Sequence, residues 1–497
     1  PIEGFARRPP VTMGNAARAT PDAPAIVHAA GVRTHAELDD RCRAVAGFLT
    51  AAGLKSGDRV AILSGNRAEL IEVVAGSLRS GIVPVPINPL LAPPEIAYIL
   101  EDSGARCLFA DRPVEPLPGV ERVVIFGDAY ERCLHEAAPS VLADVALGRP
   151  MHYTSGTTGR PKGVWVAPLP EGRAVQISER FRKLWAVAAD DIHLVCSPLA
   201  HSAPLRFALR TLEAGGAVAL LGRFDARAAL AAIELYSITT TFMVPTHLER
   251  IVGLGRVGLS RHDLSSVRLL AHAGAPIRRA TKEHVIASFP AGSVWEFYGS
   301  TEGGTTTRIS ASEWMRKPGS VGTAGSGARI IVADESGHPV AATETGQVWI
   351  DDPDVERFEY WKDPVKTRAA RRGDAFTVGD LGYLDADGYL FLVGRKDDTI
   401  ITGGVNVYPQ EVERVLAAHP TVAEVVVYGA PDEEWGQQVH AAVVPTGRDV
   451  DVGALDRWAK KHLAAFKCPR RIVIVPALAR TPSGKLIRRE PDSAHHT

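Results

Sequence analysis

The chain has 497 residues, 45% of them hydrophobic and 23% charged, which is ordinary globular sequence long enough for about two or three cores. Its formal net charge of −1 supplies no whole-molecule field for nucleic acid or an anionic membrane, so any charged ligand has to be held locally. The five cysteines (Cys42, Cys107, Cys133, Cys196, Cys468) are odd in number, lie far apart and contain no C-x-x-C pair. A cytoplasmic, reducing location is therefore expected. Residues 1–10 carry Arg7 and Arg8 but no apolar run, and no stretch of 18 apolar residues occurs anywhere, so neither export nor a membrane span is expected.

In chain order, apolar residues three or four apart predict helices over 36–52 and 68–78, with a short apolar, strand-like run at 60–63 between them. Strand-like runs follow at 106–110, 123–126 and 217–221; a helix is predicted over 226–236, and further strands at 238–244 and 267–270. That alternation is the rhythm of layered α/β proteins. From about residue 327 the texture becomes β-rich, with runs at 330–332, 347–350 and 389–393 separated by Gly and Asp turn residues, which suggests a small barrel or sheet cap. Lys396, Asp397 and Asp398 then form a charged link, where a domain boundary is placed between 1–396 and 397–497. Beyond it come a helix at 410–418, strands at 423–428 and 439–444, a helix at 455–463 and a basic tail. The expected fold is α/β: a large N-terminal domain of layered sheets and helices with a small β-barrel-like part, plus a small α+β C-terminal domain. No solenoid repeat or low-complexity tract is present.

The segment Tyr153-Thr-Ser-Gly-Thr-Thr-Gly-Arg-Pro-Lys-Gly163 gathers glycines, hydroxyls and a lysine in the composition that suits polyphosphate. Gly156 and Gly159 let backbone N–H groups approach anionic oxygens, Thr154, Ser155, Thr157 and Thr158 add donors, and Lys162 supplies a mobile positive charge. It is not a Walker A loop, because Pro161 stands where that motif has its second glycine and Gly163 follows the lysine.

This loop closely resembles the phosphate signature of the adenylate-forming superfamily, which includes acyl-CoA synthetases, peptide-synthetase adenylation domains and luciferases. Tyr298-Gly-Ser-Thr-Glu302, Gly379-Asp380, Gly394-Arg395-Lys396-Asp397-Asp398 and Pro482-Ser-Gly-Lys485 follow in that family's order. The resemblance implies ATP, Mg²⁺ and coenzyme A, with Glu302 as a Mg²⁺ ligand and Thr154 and Thr157 beside the same phosphates. Gly274, Ala275, Pro276, Phe297, Tyr298, Gly299 and Thr301 would meet the nucleotide. Asp380 would accept both ribose hydroxyls, with Arg395 as its partner; Val378 stands where many relatives carry Thr. Lys162 and Lys485 would neutralise oxygens during adenylation. Asp397 would be the hinge of a mobile C-terminal domain, and Gly403 and Gly404 would line the coenzyme A path.

The acyl pocket is expected from His201, Ser202, Leu205, Val244, Thr246, Ala273, Gly274 and Tyr298. His201 resembles a gate between acyl and thiol tunnels, although a packing histidine fits equally. Arg206 departs from the apolar pattern of relatives: a solvent-facing arginine is the simpler expectation, and an inward one would pair with a second carboxylate or polar tail. The region 164–190 lacks the usual Ser/Thr-His continuation, which leaves the pocket wall there undefined. Gly253-Leu-Gly-Arg-Val-Gly258 matches a dinucleotide fingerprint but lacks its preceding strand and following helix, and no histidine spacing suggests zinc.

The activity this resemblance implies is that of an acid–thiol ligase, an AMP-forming acyl-CoA synthetase of fatty acid metabolism. Residues 201–207 contain no acid to hold an α-amino group, and 497 residues leave little room for the insertion of fatty acyl-AMP ligases. Pro431-Asp-Glu-Glu-Trp-Gly436 and Phe466-Lys-Cys-Pro469 look most like acyl-CoA synthetases. The alternatives are an acyl-AMP ligase that loads a carrier-protein thiol, and a nucleotide sensor that has lost turnover. The expected partners are a small carboxylic acid, ATP and coenzyme A, with no nucleic acid or membrane; a homodimer is the default assembly.

Overall fold

The computed structural model describes residues 12–115, 119–142, 145, 147–154, 161–325, 327–402, 405–447, 450–480 and 486–490. The chain divides into one unit formed by Pro1–Pro318 with Pro353–Ala369, and another formed by Gly319–Asp352 with Ala370–Thr497.

The strands of the first unit begin with β1 Pro24–His28, β2 Gly31–Thr34, β3 Arg59–Leu63, β4 Val83–Ile87, β5 Cys107–Ala110 and β6 Arg122–Ile125. They continue with β7 His152–Thr154, β8 Lys162–Trp165, β9 Ile192–Val195, β10 Ala217–Leu220, β11 Thr240–Met243, β12 Leu269–His272, β13 Val294–Ser300 and β14 Gly304–Ser310. One sheet runs β14-β13-β12-β11-β9-β10-β1-β2 and a second runs β4-β3-β5-β6. Within the first sheet the pairs from β13 through β12, β11, β9 and β10 to β1 are all parallel. Strands covered on both faces read as continuous apolar runs, which is why the sequence exposes them without alternation. β4 is an exception that composition conceals. Its Pro84 and Pro86 cannot donate to a ladder, and the fold places them on the sheet edge, opposite Val60 and Ile62.

The helix His35–Ala51 starts where Thr34 and Glu37 satisfy each other's backbone: Glu37 N–H donates to Thr34 Oγ1 at 3.2 Å and Thr34 N–H to Glu37 Oε2 at 2.8 Å. It packs on Ala68–Arg79 through Gly76, where an added Cβ would lie 2.7 Å from the Cys42 carbonyl oxygen. Glycine is required there by the close approach of two backbones. Leu38, Val45, Leu49, Ile71, Val74 and Phe109 are buried in the resulting core, each contributing about 1.5–3 kcal/mol of transfer free energy.

In the second unit, Gly346–Asp351 pairs antiparallel with Arg329–Ala333 and with Asp380–Leu384, and the latter pairs with Leu390–Arg395. The strands expected to form a small barrel pair as a sheet, and no closed ring of strands occurs among the described residues. A further sheet runs Val405–Val407, Ile400–Thr402, Gly436–Pro445, Val422–Asp432, with Arg471–Ile474 alongside Gly436–Pro445. The helices Pro409–Ala417 and Val452–His462 cover it through Val412, Leu416 and Leu455. The link at 396–398 is a single 3₁₀ turn, Lys396–Asp398, inside this unit. The glycine fingerprint at 253–258 follows the helix Pro245–Val252 rather than a strand, so its dinucleotide reading has no structural context. Among the described residues, no helix is long and apolar enough to cross a membrane.

Asp39 ties two helices of the first core. Its carboxylate accepts from Arg79 Nη1 at 2.6 Å and Arg43 Nε at 2.7 Å, with Asp39 and Arg79 both buried. Burial alone would raise the Asp39 pKa, but Arg79 and Arg43 outweigh it and hold it below the usual carboxylate range. Asp39→Ala leaves Arg79 buried and unpaired, so it should cost about 3–5 kcal/mol in urea unfolding. Because the folded pKa is depressed, the wild-type advantage over Asp39→Ala should be full above about pH 4 and shrink as pH falls below it.

Candidate active site

Parallel sheets place ligands beyond the carboxyl ends of their strands, and many of the expected site residues lie at those ends. Val244 follows β11, Ala273 and Gly274 follow β12, and Tyr298 and Gly299 stand near the end of β13. Gly274 has φ 97°, a conformation that favours glycine, and an added Cβ would touch Val244 Cγ1 at 3.8 Å. Gly274, Ala275 and Pro276 are exposed, which leaves this turn open to a ligand. Phe297 points into an aromatic cluster instead, 5.4 Å from Trp185 and 5.9 Å from Phe242 between ring centroids. Thr246 lies in the first turn of the helix Pro245–Val252.

The phosphate loop is the connection of a hairpin: β7 and β8 are antiparallel, with Thr154 directly opposite Lys162. The strand Glu359–Tyr360 adds to β8, with Tyr360 opposite Val164. That register aims Tyr360 at two expected site residues. Its ring lies 4.9 Å below the Lys162 ammonium, and its hydroxyl donates to Glu302 Oε1 at 2.9 Å. Glu302 is 6% exposed, and its other oxygen, Oε2, has no hydrogen-bond partner among the described residues. A carboxylate with one oxygen left by Tyr360, and the Thr154 hydroxyl on the same hairpin mouth as Lys162, fit a hard cation that keeps waters and phosphate oxygens as its other ligands.

The turn that carries Glu302 is held from behind by Arg149. Its Nη1 and Nη2 each donate to the Glu302 carbonyl oxygen at 3.1 Å, and Nη2 also donates to the Thr301 carbonyl. Burial, partly opposed by Glu302 and Glu356, brings the Arg149 pKa down to about 10, so it stays charged at neutral pH. The hydroxyls of Ser202 and Thr301 hydrogen-bond at 3.2 Å. His201 caps the helix Ser202–Glu213, and its Nε2 is 3.5 Å from Asn88 Nδ2.

Ser202, Leu205 and Thr301 line one cleft of about 110 Å³ with Arg149, His152 and Arg206, whereas Val244, Thr246, Ala273, Gly274 and Tyr298 lie outside its lining. His152 Nδ1 donates to the Ala200 carbonyl at 3.1 Å, and since a carbonyl only accepts, Nδ1 carries the proton. Burial drops its pKa to about 3, so it is neutral. The helix Glu171–Trp185 supplies Phe181 and Leu184 and fills the wall that the sequence left undefined. Arg206 does not face solvent as expected: it borders this cleft, where burial and the nearby Arg149 and Arg210 push its pKa down to about 9.

In the second unit, Asp380 opens the strand Asp380–Leu384 and stands opposite Arg395, with Arg395 Nε 3.1 Å from Asp380 Oδ1. Thr377, beside Val378, accepts from Gly379 N–H and from Gln347 Nε2, each at 3.1 Å. Asp397 is exposed. Ser155, Gly156, Thr157, Thr158, Gly159, Gly403, Gly404 and Lys485 lie outside the described residues. Arg149, Tyr360 and Asn88 were not found from sequence. Each acts through a partner more than 50 positions away, so no local pattern marks it; the aromatic run Phe358-Glu-Tyr-Trp361 was the one available signal for Tyr360.

The AMP-binding enzyme family model matches residues 14–360, and the AMP-binding enzyme C-terminal domain model matches 411–485. The fatty acid–[acyl-carrier-protein] ligase ScoC of Streptomyces coeruleorubidus is 35% identical over 489 residues, covering 95% of this chain and 93% of that protein. A feruloyl-CoA synthase of Amycolatopsis sp is 35% identical over 486 residues, covering 95% and 96%. The o-succinylbenzoate CoA synthetase of Bacillus subtilis, solved with its acyl-adenylate intermediate, superposes with a TM-score of 0.86 at 29% identity, covering 98% of each chain, and has also been solved with ATP and magnesium. The phosphate hairpin, the buried Glu302 and the two matched family models agree: the chain belongs to the AMP-binding family of adenylate-forming enzymes, whose homologues are acid–thiol ligases.

Proposed function

We propose that this enzyme joins a small carboxylic acid to AMP at the expense of ATP and then transfers the acyl group to coenzyme A. The observation that carries the reading is the Tyr360 bridge, which fixes a buried carboxylate and a loop lysine around one point at the mouth of the phosphate hairpin. In the first half-reaction a carboxylate oxygen bonds to the α-phosphorus as the bond to pyrophosphate breaks. In the second, a thiolate attacks the acyl carbon and AMP departs.

Two anions must meet in the first step, so positive charge has to be positioned beforehand. Lys162 provides it on the phosphate side, held in place by the Tyr360 ring. Glu302, with Thr154 and Thr157, would hold Mg²⁺, which when bound neutralises phosphate charge. Arg149 fixes the backbone of that turn, so Glu302 keeps its direction without reorganising. Asp380, oriented by Arg395, is read as the ribose acceptor, and Lys485 as the cation that bridges carboxylate and phosphate. The same reading makes 1–396 and 397–497 the working domains, with Asp397 as hinge and Gly403 and Gly404 on the thiol path; His201 gates it. All five cysteines are free thiols, which supports a reducing cytoplasm. A symmetric homodimer is the assembly adopted here, being the commonest one.

A second reading has its own support: the match to ScoC favours a carrier-protein thiol as acceptor. Supplying free coenzyme A and a thiol-loaded carrier in parallel, with thioester read by mass, separates the two.

Glu302→Gln should lower acid-dependent pyrophosphate release about 100-fold or more and raise the Mg²⁺ requirement. Tyr360→Phe removes one hydrogen bond to a charged group and should cost about tenfold. Equal activity of Glu302→Gln and wild type at saturating Mg²⁺ would sink the reading. Lys485→Ala should block adenylation while leaving thioester formation from supplied acyl-AMP largely intact, and equal loss of both half-reactions would refute that residue's role.

A further inference from the structure

The cleft beside the Glu302 turn is lined by four arginines, and three of them have evident partners. Arg149 donates to the Thr301 and Glu302 carbonyls, Arg180 lies 3.5 Å from Asp354, and Arg210 pairs with Glu213 and donates to the Leu147 carbonyl at 3.1 Å. Arg206 has no carboxylate or carbonyl partner among the described residues. The acids that border the cleft are already engaged, Glu356 with Arg173 and Asp354 with Arg173 and Arg180. Every influence on Arg206 opposes its charge: burial first, then Arg149 and Arg210.

Its position is nevertheless built. The guanidinium occupies the space that a side chain at position 304 would take, since a Cβ on Gly304 would fall 2.6 Å from Arg206 Nη1. Apolar Phe181, Leu184, Leu205 and Leu209 border the same cleft beside its charged and hydroxyl side chains, and Arg206 is half-buried among them. An uncompensated charge held in such a place is costly unless an anion arrives, and a guanidinium fork matches a carboxylate.

We propose that Arg206 receives a second carboxylate at the far end of the acid, so that the preferred substrate is a compact dicarboxylic acid activated at one end only. The proposal rests on the acid-activating reading above. Compactness follows from the chain itself: Gly304 stands two residues beyond Glu302, at most about 7 Å of backbone. A long acyl tail would have to pass the cation with nothing to neutralise it.

The test uses the whole enzyme and a series of straight-chain dicarboxylic acids, each matched to the monocarboxylic acid of equal length, with pyrophosphate release as readout. Wild type should favour the dicarboxylic member of at least one pair by about tenfold or more in kcat/KM. Arg206→Leu and Arg206→Gln should erase that ratio, chiefly by slowing the dicarboxylic acid, and Arg206→Lys should keep part of it. Saturating dicarboxylic acid should raise the unfolding temperature of wild type but not of Arg206→Gln, a readout that needs no turnover. A wild type that prefers the monocarboxylic acid in every pair overturns the inference, as does a ratio unchanged in both neutral variants. If monocarboxylic acids alone are activated, the enzyme reading stands and only this inference falls; if no acid releases pyrophosphate and none shifts unfolding, both fall.

Discussion

The candidate site is tied together by one phenol. Tyr360 is brought by a two-residue strand to the edge of the phosphate hairpin, where its ring meets the Lys162 cation and its hydroxyl meets the Glu302 carboxylate. In the structure the lysine lies over the π face and one oxygen of the carboxylate accepts from the phenol hydroxyl, so one side chain touches both. Arg149 completes the arrangement from the opposite side by taking the carbonyl oxygens of the turn, leaving its side chains to the ligand.

Behind this site, the parallel strands do the positioning. β11, β12 and β13 deliver Val244, Gly274 and Tyr298 at matching ends because their ladders share one direction, and each is buried on both faces and cannot shift register without exposing apolar surface. The cleft lies on the side of the helix Ser202–Glu213, whose first turn brings Ser202 to Thr301 and whose second brings Arg206 to Gly304. In the proposed reading, recognition of the acid falls to one helix and one turn, and recognition of the nucleotide to the strand ends.

Most of the fold was legible in the sequence, because buried parallel strands are continuous apolar runs and the helices 36–52, 68–78 and 226–236 are amphipathic with a clear period; all were found within about two residues. The failures were physical. β4 was hidden by Pro84 and Pro86, which look like strand breakers until the edge position is known. Hairpin texture, which fixes neighbours but not closure, left a small barrel and a sheet cap both open, and the strands pair as a sheet. Among site residues, Thr154 and Lys162 were marked by local composition and Glu302 and Asp380 by the family's motifs, whereas Arg149 and Tyr360 act across the fold, with only the aromatic run 358–361 near the latter. Arg206 was visible, but its direction was not, since facing inward depends on the absent side chain at Gly304 as much as on the helix that carries it.

That last dependence is lopsided. Gly304 has φ 79°, which favours glycine whatever stands at 206, so the room for the guanidinium comes with the turn itself. A lineage changing its acid would therefore be expected to vary residue 206 over an unchanging glycine, making the helix rather than the turn the place where such variation is recorded.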